Sequence, residues 1–209
     1  MHCILGGTFD PVHFGHLRPA LEVQQALGVE SVHLVPCHTP PHRAAPRASP
    51  QQRLTLLRAA VADEPALTID ERELQRGGSS YMVDTLAALR EERLRQPLCL
   101  ALGMDAFAEL HTWKRWREIA QLCHLVVMRR PGSTWPQRGA VAELAQAARV
   151  EDASVLRQRP AGCVVGVDVT PLGVSATQIR TLLASGRSAR FLLPDVVLDR
   201  IRQENWYAS

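Results

Sequence analysis

The sequence predicts an α/β protein of Rossmann-like type, with a doubly wound and mostly parallel sheet that carries helices on both faces. Short apolar runs alternate with amphipathic segments along the whole chain, which is typical of such a sheet. A glycine-rich turn joins the first apolar run to the first amphipathic segment. A length of 209 residues and a hydrophobic content of 46% suit a single globular domain over residues 1–209, with its C-terminal helical part at about residues 175–209.

The predicted elements follow from these patterns. Apolar runs predict strands at residues 1–5, 31–35, 67–70, 98–102, 124–128 and 163–169. Apolar residues three and four positions apart predict helices that begin near residues 17, 50, 80, 141, 175 and 194. Gly28 is expected to end the first helix, Ser49 and Pro50 to begin the second, and Ser80 to cap the third. Residues 71–78 are expected to be a polar connection.

The turn at residues 6–16, GGTFDPVHFGH, is predicted to bind phosphate. Gly6 and Gly7 let the backbone approach an anion, because no Cβ blocks it. The N–H groups at the start of the following helix favour negative charge. His13 and His16 are three residues apart, so both rings can lie on one side of a helical turn. The P-loop pattern and the Gly-x-Gly-x-x-Gly pattern are both missing from this stretch.

Several other loops are expected to join this turn. Ligands of parallel sheets bind beyond the carboxyl ends of the strands. The loops that follow predicted strands should therefore meet at one edge of the sheet, at residues 6–16, 36–43, 103–105, 129–130 and 172–175.

Two motifs resemble the signatures of the nucleotidyltransferase superfamily. HFGH at residues 13–16 matches its His-x-Gly-His motif, and SATQIR at residues 175–180 resembles its Ser-x-Thr-x-Ile-Arg motif. The longer stretch at residues 6–16 is most similar to the bacterial nicotinate-mononucleotide adenylyltransferases. The resemblance implies transfer of an adenylyl group from ATP to nicotinate mononucleotide, giving deamido-NAD and pyrophosphate.

The resemblance also implies how the ATP is handled. His13 and His16 would donate to the α- and β-phosphate oxygens, and Arg180 would neutralise the leaving pyrophosphate. Alignment and charge stabilisation are then sufficient, because the acceptor phosphate is already a nucleophile. Mg²⁺ is expected to arrive with the ATP phosphates and to need no dedicated protein ligands, so no metal-binding residue is predicted. The implied ATP-binding residues are Gly6, Gly7, Thr8, Phe9, His13, His16, Gly103, Asp105, Ser175, Thr177 and Arg180.

The acceptor site is also implied by resemblance. PPHR at residues 40–43 resembles the loop that meets the mononucleotide phosphate, and Trp113 resembles the tryptophan that stacks on the pyridine ring. Met82 stands where the family commonly has a threonine, and methionine cannot donate a hydrogen bond to the nicotinate carboxylate. Backbone N–H groups after Ser80 are expected to hold that carboxylate instead. The implied acceptor-binding residues are Thr8, His42, Arg43, Met82, Thr85, Trp113 and Arg130.

Two alternatives remain beside this interpretation. One is an enzyme of the same fold with another phosphorylated acceptor, such as phosphopantetheine or nicotinamide mononucleotide, and Met82 leaves the latter open. The other is a non-catalytic regulatory module that binds a nucleotide, which the intact histidines and Arg180 disfavour.

Composition bounds the possible partners. The net charge of +3 and the lack of a basic face with interleaved aromatics disfavour a nucleic-acid partner. No apolar run is long enough to cross a bilayer, and no signal-peptide pattern begins the chain. Five scattered cysteines show no metal-binding spacing. We therefore expect a cytoplasmic protein with no membrane partner, and the sequence carries no indication of oligomeric state.

Overall fold

The computed structural model describes residues 1–41 and 44–208, so the predicted acceptor residues His42 and Arg43 lie outside the described residues. Within them, one sheet of seven parallel strands has the order β3-β2-β1-β4-β5-β7-β6. The doubly wound parallel sheet is therefore confirmed. The strands are β1 His2–Gly7, β2 Val32–Pro36, β3 Leu67–Ile69, β4 Leu98–Gly103, β5 His124–Arg129, β6 Arg149–Val150 and β7 Val164–Asp168.

The helices within the described residues are α1 Phe14–Leu27, α2 Pro50–Val61, α3 Arg72–Arg76, α4 Met82–Glu92, α5 Met104–Ala108, α6 Trp116–Leu122, α7 Ala140–Ala148, α8 Ala176–Ala184 and α9 Asp195–Gln203. Six of these helices lie where the apolar periodicity predicted them, and α3, α5 and α6 are additions. Helix α3 occupies the stretch predicted to be a polar connection, and the edge strand β6 was not predicted. Elements of five and two residues are too short to show a period in the sequence.

The ends of the helices test the predicted caps. Gly28 ends α1 in the left-handed conformation, with φ of 57°, and Ser49 caps α2 by accepting from the N–H of Gln52. The prediction that Ser80 caps α4 is wrong, because the N-cap residue is Tyr81. The hydroxyl of Ser80 instead accepts from the backbone N–H of His38 at 2.9 Å. Ser80 therefore ties the loop after β2 to the start of α4.

Each face of the sheet has its own hydrophobic core. Along β1, the buried residues Cys3 and Leu5 belong to one core, and Ile4 belongs to the other. This alternation is what a strand covered by helices on both faces requires. The five cysteines are buried and free. None of the helices within residues 1–41 and 44–208 is long and apolar enough to cross a membrane.

Candidate active site

The turn between β1 and α1 is shaped by a buried aromatic ring. Phe9 has φ of 51°, and its side chain is 1% exposed. A Cβ on Gly7 would lie 2.7 Å from that ring, so the ring fills the space that a side chain at position 7 would need. The centroid of the ring also lies 5.1 Å from that of His16. The ring of Phe9 is therefore part of the support of the turn, and a contact between Phe9 and ATP stays a prediction.

The two histidines of the turn lie together as their spacing predicted. His13 is the N-cap residue of α1, and its ring stacks on that of His16 with centroids 3.8 Å apart. The backbone N–H of His13 donates to Nδ1 of His16 at 3.3 Å. Burial lowers the pKa of His13 to about 4, so its ring is neutral at pH 7. A neutral ring has one N–H donor and can bind an anion by hydrogen bonding alone.

Arg180 joins the second motif to the turn. Its Nη1 donates to the backbone carbonyl of Asp10 at 2.7 Å, and its Nη2 donates to Oγ1 of Thr177 at 3.1 Å. Ser175 caps α8 by accepting from the N–H of Gln178. The two motifs, separated by more than 150 positions in the sequence, therefore meet at one place.

A cavity of about 370 Å³ opens beside the turn, at the carboxyl ends of the strands. Loops after β1, β4 and β5 surround it, as the rule for parallel sheets predicted. Arg130, which was predicted to face the acceptor, lines this cavity together with His16 and Asp105. Its lining includes the predicted residues Gly6, His16, Gly103, Asp105 and Arg130, together with Gly15, Met104 and Ser133.

A larger cavity of about 490 Å³ lies elsewhere, around His2, His33 and Asp70. None of the predicted site residues lines it. The charged side chains there already pair with one another, since Arg72 bonds to both Asp70 and Glu92. The smaller cavity at the turn is therefore the candidate active site.

The predicted acceptor residues have different positions. Met82 lies against the turn, because a Cβ on Gly6 would be 2.5 Å from its Cε. Trp113 is half-buried and packs on the second core. Thr85 is completely buried, and its hydroxyl donates to Oε1 of Glu73 at 2.6 Å. This hydrogen bond joins α4 to α3, and contact between Thr85 and the acceptor stays a prediction.

Arg53 is a functional candidate that the sequence did not indicate. Its side chain is 0% exposed. Its Nη1 donates to the carbonyl of Thr8 at 2.7 Å and its Nη2 to the carbonyl of His38 at 2.8 Å. Arg53 therefore connects the turn after β1 to the loop after β2. In the sequence it reads as one polar position of an amphipathic helix, and nothing distinguishes it from its neighbours.

Comparisons with known proteins agree with this geometry. A model of the cytidylyltransferase-like family matches residues 4–182, and the fold is that of the nucleotidyltransferase class. A probable nicotinate-nucleotide adenylyltransferase of Halorhodospira halophila is 51% identical over 98% of this chain and 94% of its own. One of Marinobacter nauticus is 50% identical over 100% of this chain and 97% of its own. The chain belongs to the nicotinate-nucleotide adenylyltransferase family.

A solved structure agrees with the fold. The nicotinic acid mononucleotide adenylyltransferase of Plasmodium falciparum, complexed with NaAD, superposes with a TM-score of 0.73 at 14% identity. The match covers 98% of this chain and 96% of that one. At this identity the likeness establishes the shared architecture alone.

Proposed function

We propose that this protein transfers the adenylyl group of ATP to nicotinate mononucleotide, forming deamido-NAD and releasing pyrophosphate. The observation that carries the proposal is that His16 lines the cavity with His13 stacked on it, while Arg180 bonds to Asp10 of the same turn. Relatives about half identical over nearly the whole chain carry the name of this activity, which supports the choice of acceptor.

The reaction needs alignment more than covalent chemistry. An oxygen of the acceptor phosphate attacks the α-phosphorus of ATP, and the bond from that phosphorus to the oxygen bridging to the β-phosphate breaks. The N–H groups of His13 and His16 donate to the phosphate oxygens, where negative charge grows. Arg180 neutralises the departing pyrophosphate. Such fixed donors lower the barrier without a general base.

The remaining predicted residues would hold the nucleotide. Asp105 would accept from the ribose hydroxyls, and Arg130 in the same cavity would reach the nucleotide. Ser175 uses an oxygen lone pair to cap α8, so its O–H is still able to donate to a phosphate. Thr177 and the N–H groups at the start of α8 would add further donors.

Mg²⁺ would be carried by the phosphates of ATP. No three His, Cys, Asp or Glu side chains within residues 1–41 and 44–208 come together as a metal site. The phosphate-binding part of the site offers neutral and basic donors, which suit an anion and not a bare cation. When bound, Mg²⁺ would offset phosphate charge while keeping several of its waters.

The acceptor would occupy the side of the turn that faces α4. His42 and Arg43 would meet its phosphate, as the family resemblance implies, and Trp113 would stack on its ring. The backbone N–H groups at the start of α4, beside Met82, would hold the nicotinate carboxylate. Because the five cysteines are free thiols, we place the reaction in the reducing cytoplasm.

Release of pyrophosphate tests the proposal. The purified protein is given ATP and Mg²⁺ with either nicotinate mononucleotide or nicotinamide mononucleotide, and pyrophosphate is measured over time. We expect a strong preference for the acid form. Equal use of both, or preference for the amide, would indicate an adenylyltransferase of the same fold that accepts nicotinamide mononucleotide. Nucleotide binding without any pyrophosphate release would favour a regulatory module.

A further inference from the structure

We propose that Tyr207 is a positioning residue of this reaction, whose hydroxyl fixes the carboxylate of Asp10 and thereby keeps Arg180 available for the phosphates. The inference rests on the proposed function, because it assigns a purpose to the position of Arg180. Tyr207 lies at the far end of the chain and belongs to neither signature motif.

The contact is a buried hydrogen bond to a carboxylate. The hydroxyl of Tyr207 donates to Oδ1 of Asp10 at 2.8 Å, and the two residues are 8% and 5% exposed. Burial and the neighbouring carboxylate raise the pKa of the phenol. Tyr207 therefore stays protonated and keeps donating. Hydrogen bonds to a charged group are among the strongest single contacts in a protein.

The other partners of the Asp10 carboxylate hold the loop before α2. The backbone N–H of Arg47 donates to Oδ2 at 2.9 Å, and that of Ala48 donates to Oδ1 at 3.1 Å. These two amides and Tyr207 all donate to the carboxylate of Asp10. Asp10 therefore links the turn after β1, the loop before α2 and the C-terminal tail.

Arg180 forms a long ion pair with this carboxylate. Its Nη1 bonds to the backbone carbonyl of Asp10 at 2.7 Å but is 3.7 Å from Oδ2. Without the hydroxyl of Tyr207, the carboxylate could turn and pair closely with the guanidinium. A close carboxylate would neutralise the positive charge that the departing pyrophosphate needs. Together with the two amides, the hydroxyl of Tyr207 thus keeps the ion pair between Asp10 and Arg180 long.

The backbone before Tyr207 is folded to make this contact. After α9 ends, Asn205 has φ of 53° and Tyr207 has φ of 63°. The N–H of Trp206 donates to the carbonyl of Ile201 at 3.0 Å, which turns the tail back toward the protein. A left-handed conformation is uncommon for a tyrosine and persists only where surrounding contacts hold it.

The first test removes only the hydroxyl. Tyr207→Phe keeps the ring, and we expect kcat for pyrophosphate release to fall about 10-fold to 100-fold, the factor that a lost hydrogen bond to a charged group gives. KM for the acceptor should change little. Ser185→Ala is the matched control, because it removes a hydroxyl at the other end of α8, and it should keep the wild-type kcat.

The second test separates positioning from folding. If Tyr207 acts through Arg180, adding Tyr207→Phe to Arg180→Ala should cause no further loss of kcat, because the coupled pair is non-additive. The proposal would be overturned if the fold-loss of kcat in the double variant equalled the product of the losses in the two single variants. A normal kcat in Tyr207→Phe would overturn it too. A lowered melting temperature with normal kcat would assign Tyr207 to stability alone.

Binding of inorganic pyrophosphate gives a readout that does not depend on the acceptor. Calorimetry should show weaker binding to Tyr207→Phe than to wild type, and equal binding to Arg180→Ala with or without the second substitution. Unchanged binding in Tyr207→Phe would overturn the positioning role. Absence of wild-type turnover with nicotinate mononucleotide would instead contradict the proposed function, and the binding comparison would still decide the role of Tyr207.

Discussion

At the scale of single residues, neighbouring side chains of the site differ in how deeply they are buried. His13 is 4% exposed and neutral because burial lowers its pKa to about 4. His16 is half-buried and lines the cavity. Of the two rings, that of His16 is therefore the more accessible from the cavity.

Replacement of His16 tests its role as a donor. We expect His16→Ala to lower kcat by about 10²–10³-fold, the usual cost of removing one transition-state donor. The measurement is the steady-state rate of pyrophosphate release. His111→Ala is the control, because that histidine is exposed and does not line the cavity. Turnover close to wild type in His16→Ala would refute the role.

Met82 stands where the resemblance implies a threonine. Met82→Thr restores a hydroxyl at the start of α4, so we expect a lower KM for nicotinate mononucleotide. Met82→Leu is the control, since it changes the shape beside Gly6 without adding a hydroxyl. An unchanged or higher KM in Met82→Thr would mean that the hydroxyl is irrelevant in this protein.

Arg53 should contribute to stability through the two carbonyls that it satisfies. Arg53→Met leaves both of these carbonyls without their donor, and we expect the free energy of unfolding to fall by about 2–4 kcal/mol. Urea denaturation measures the loss. Arg58→Met on the same helix removes only an exposed ion pair with Glu71 and should cost less than about 1 kcal/mol. Equal losses would contradict the account of Arg53.

Contacts of this kind explain what the sequence could not predict. Arg53 meets a carbonyl 45 positions away, and Tyr207 meets a carboxylate 197 positions away. Neither contact leaves a local pattern, because each depends on the packing of the whole chain. The placement of His13, His16 and Arg180 at one turn was predictable from their motifs, and their binding to phosphate stays a prediction. Thr85 stands in a matching segment too, yet its hydroxyl is used inside the protein.

At the scale of elements, the turn between β1 and α1 depends on two different glycines. A Cβ on Gly6 would meet the Cε of Met82, and a Cβ on Gly7 would meet the ring of Phe9. The methyl group of Met82 is the end of a flexible side chain, whereas the Phe9 ring is buried. The same added methyl group should therefore have different costs at the two positions.

The matched pair Gly6→Ala and Gly7→Ala tests this account of the turn. We expect Gly7→Ala to destabilise the protein by about 1–3 kcal/mol through overpacking. Gly6→Ala should cost less, because Met82 can move aside. Urea denaturation of both variants gives the comparison. A larger loss for Gly6→Ala would show that Met82 is held more firmly than the Phe9 ring.

Long periodic elements were predictable from the sequence, and short ones were not. Helices α1 and α2 have caps that their sequences indicated, and α8 begins next to Ser175 as predicted. Helix α3 and strand β6 exist because neighbouring elements hold them, and their sequences are too short to specify them. The predicted cap at Ser80 is wrong because its hydroxyl bonds across the fold to His38, a partner that local sequence cannot indicate.

At the scale of the whole molecule, the strand order determines where the site lies. Strands β1 and β4 are neighbours at the centre of the sheet, and the order of strands reverses between them. A crevice forms where consecutive connections leave in opposite directions. The turn after β1 and residues 103–105 after β4 both border the cavity, so the topology places the predicted loops together.

Buried histidines should make the whole molecule sensitive to acid. Burial lowers the pKa of His2 and of His13 from 6.5 to about 4, and it lowers the pKa of His33 and of His124. Below pH 6.5 the unfolded chain therefore binds more protons than the folded one. The free energy of unfolding should decrease as the pH is lowered. Glu73 has the opposite effect, because its raised pKa makes the folded state bind a proton more readily than the unfolded chain. It is one group against four histidines.

The urea midpoint measured between pH 7 and pH 5 checks this prediction. It should fall as the pH decreases, and the full contribution of the histidines should be present above about pH 6.5. His2→Phe keeps a ring for stacking on His33 and should make the fall smaller. A midpoint that does not change with pH would contradict the assignment of neutral buried histidines.

The fate of each ATP phosphate tests the central claim most directly. ATP labelled at the α-phosphate, or separately at the γ-phosphate, is incubated with the protein, Mg²⁺ and nicotinate mononucleotide, and the products are separated. Adenylyl transfer predicts that the α label appears in deamido-NAD and the γ label in pyrophosphate. Appearance of the γ label in the acceptor or in orthophosphate, with ADP as the other product, would contradict the account.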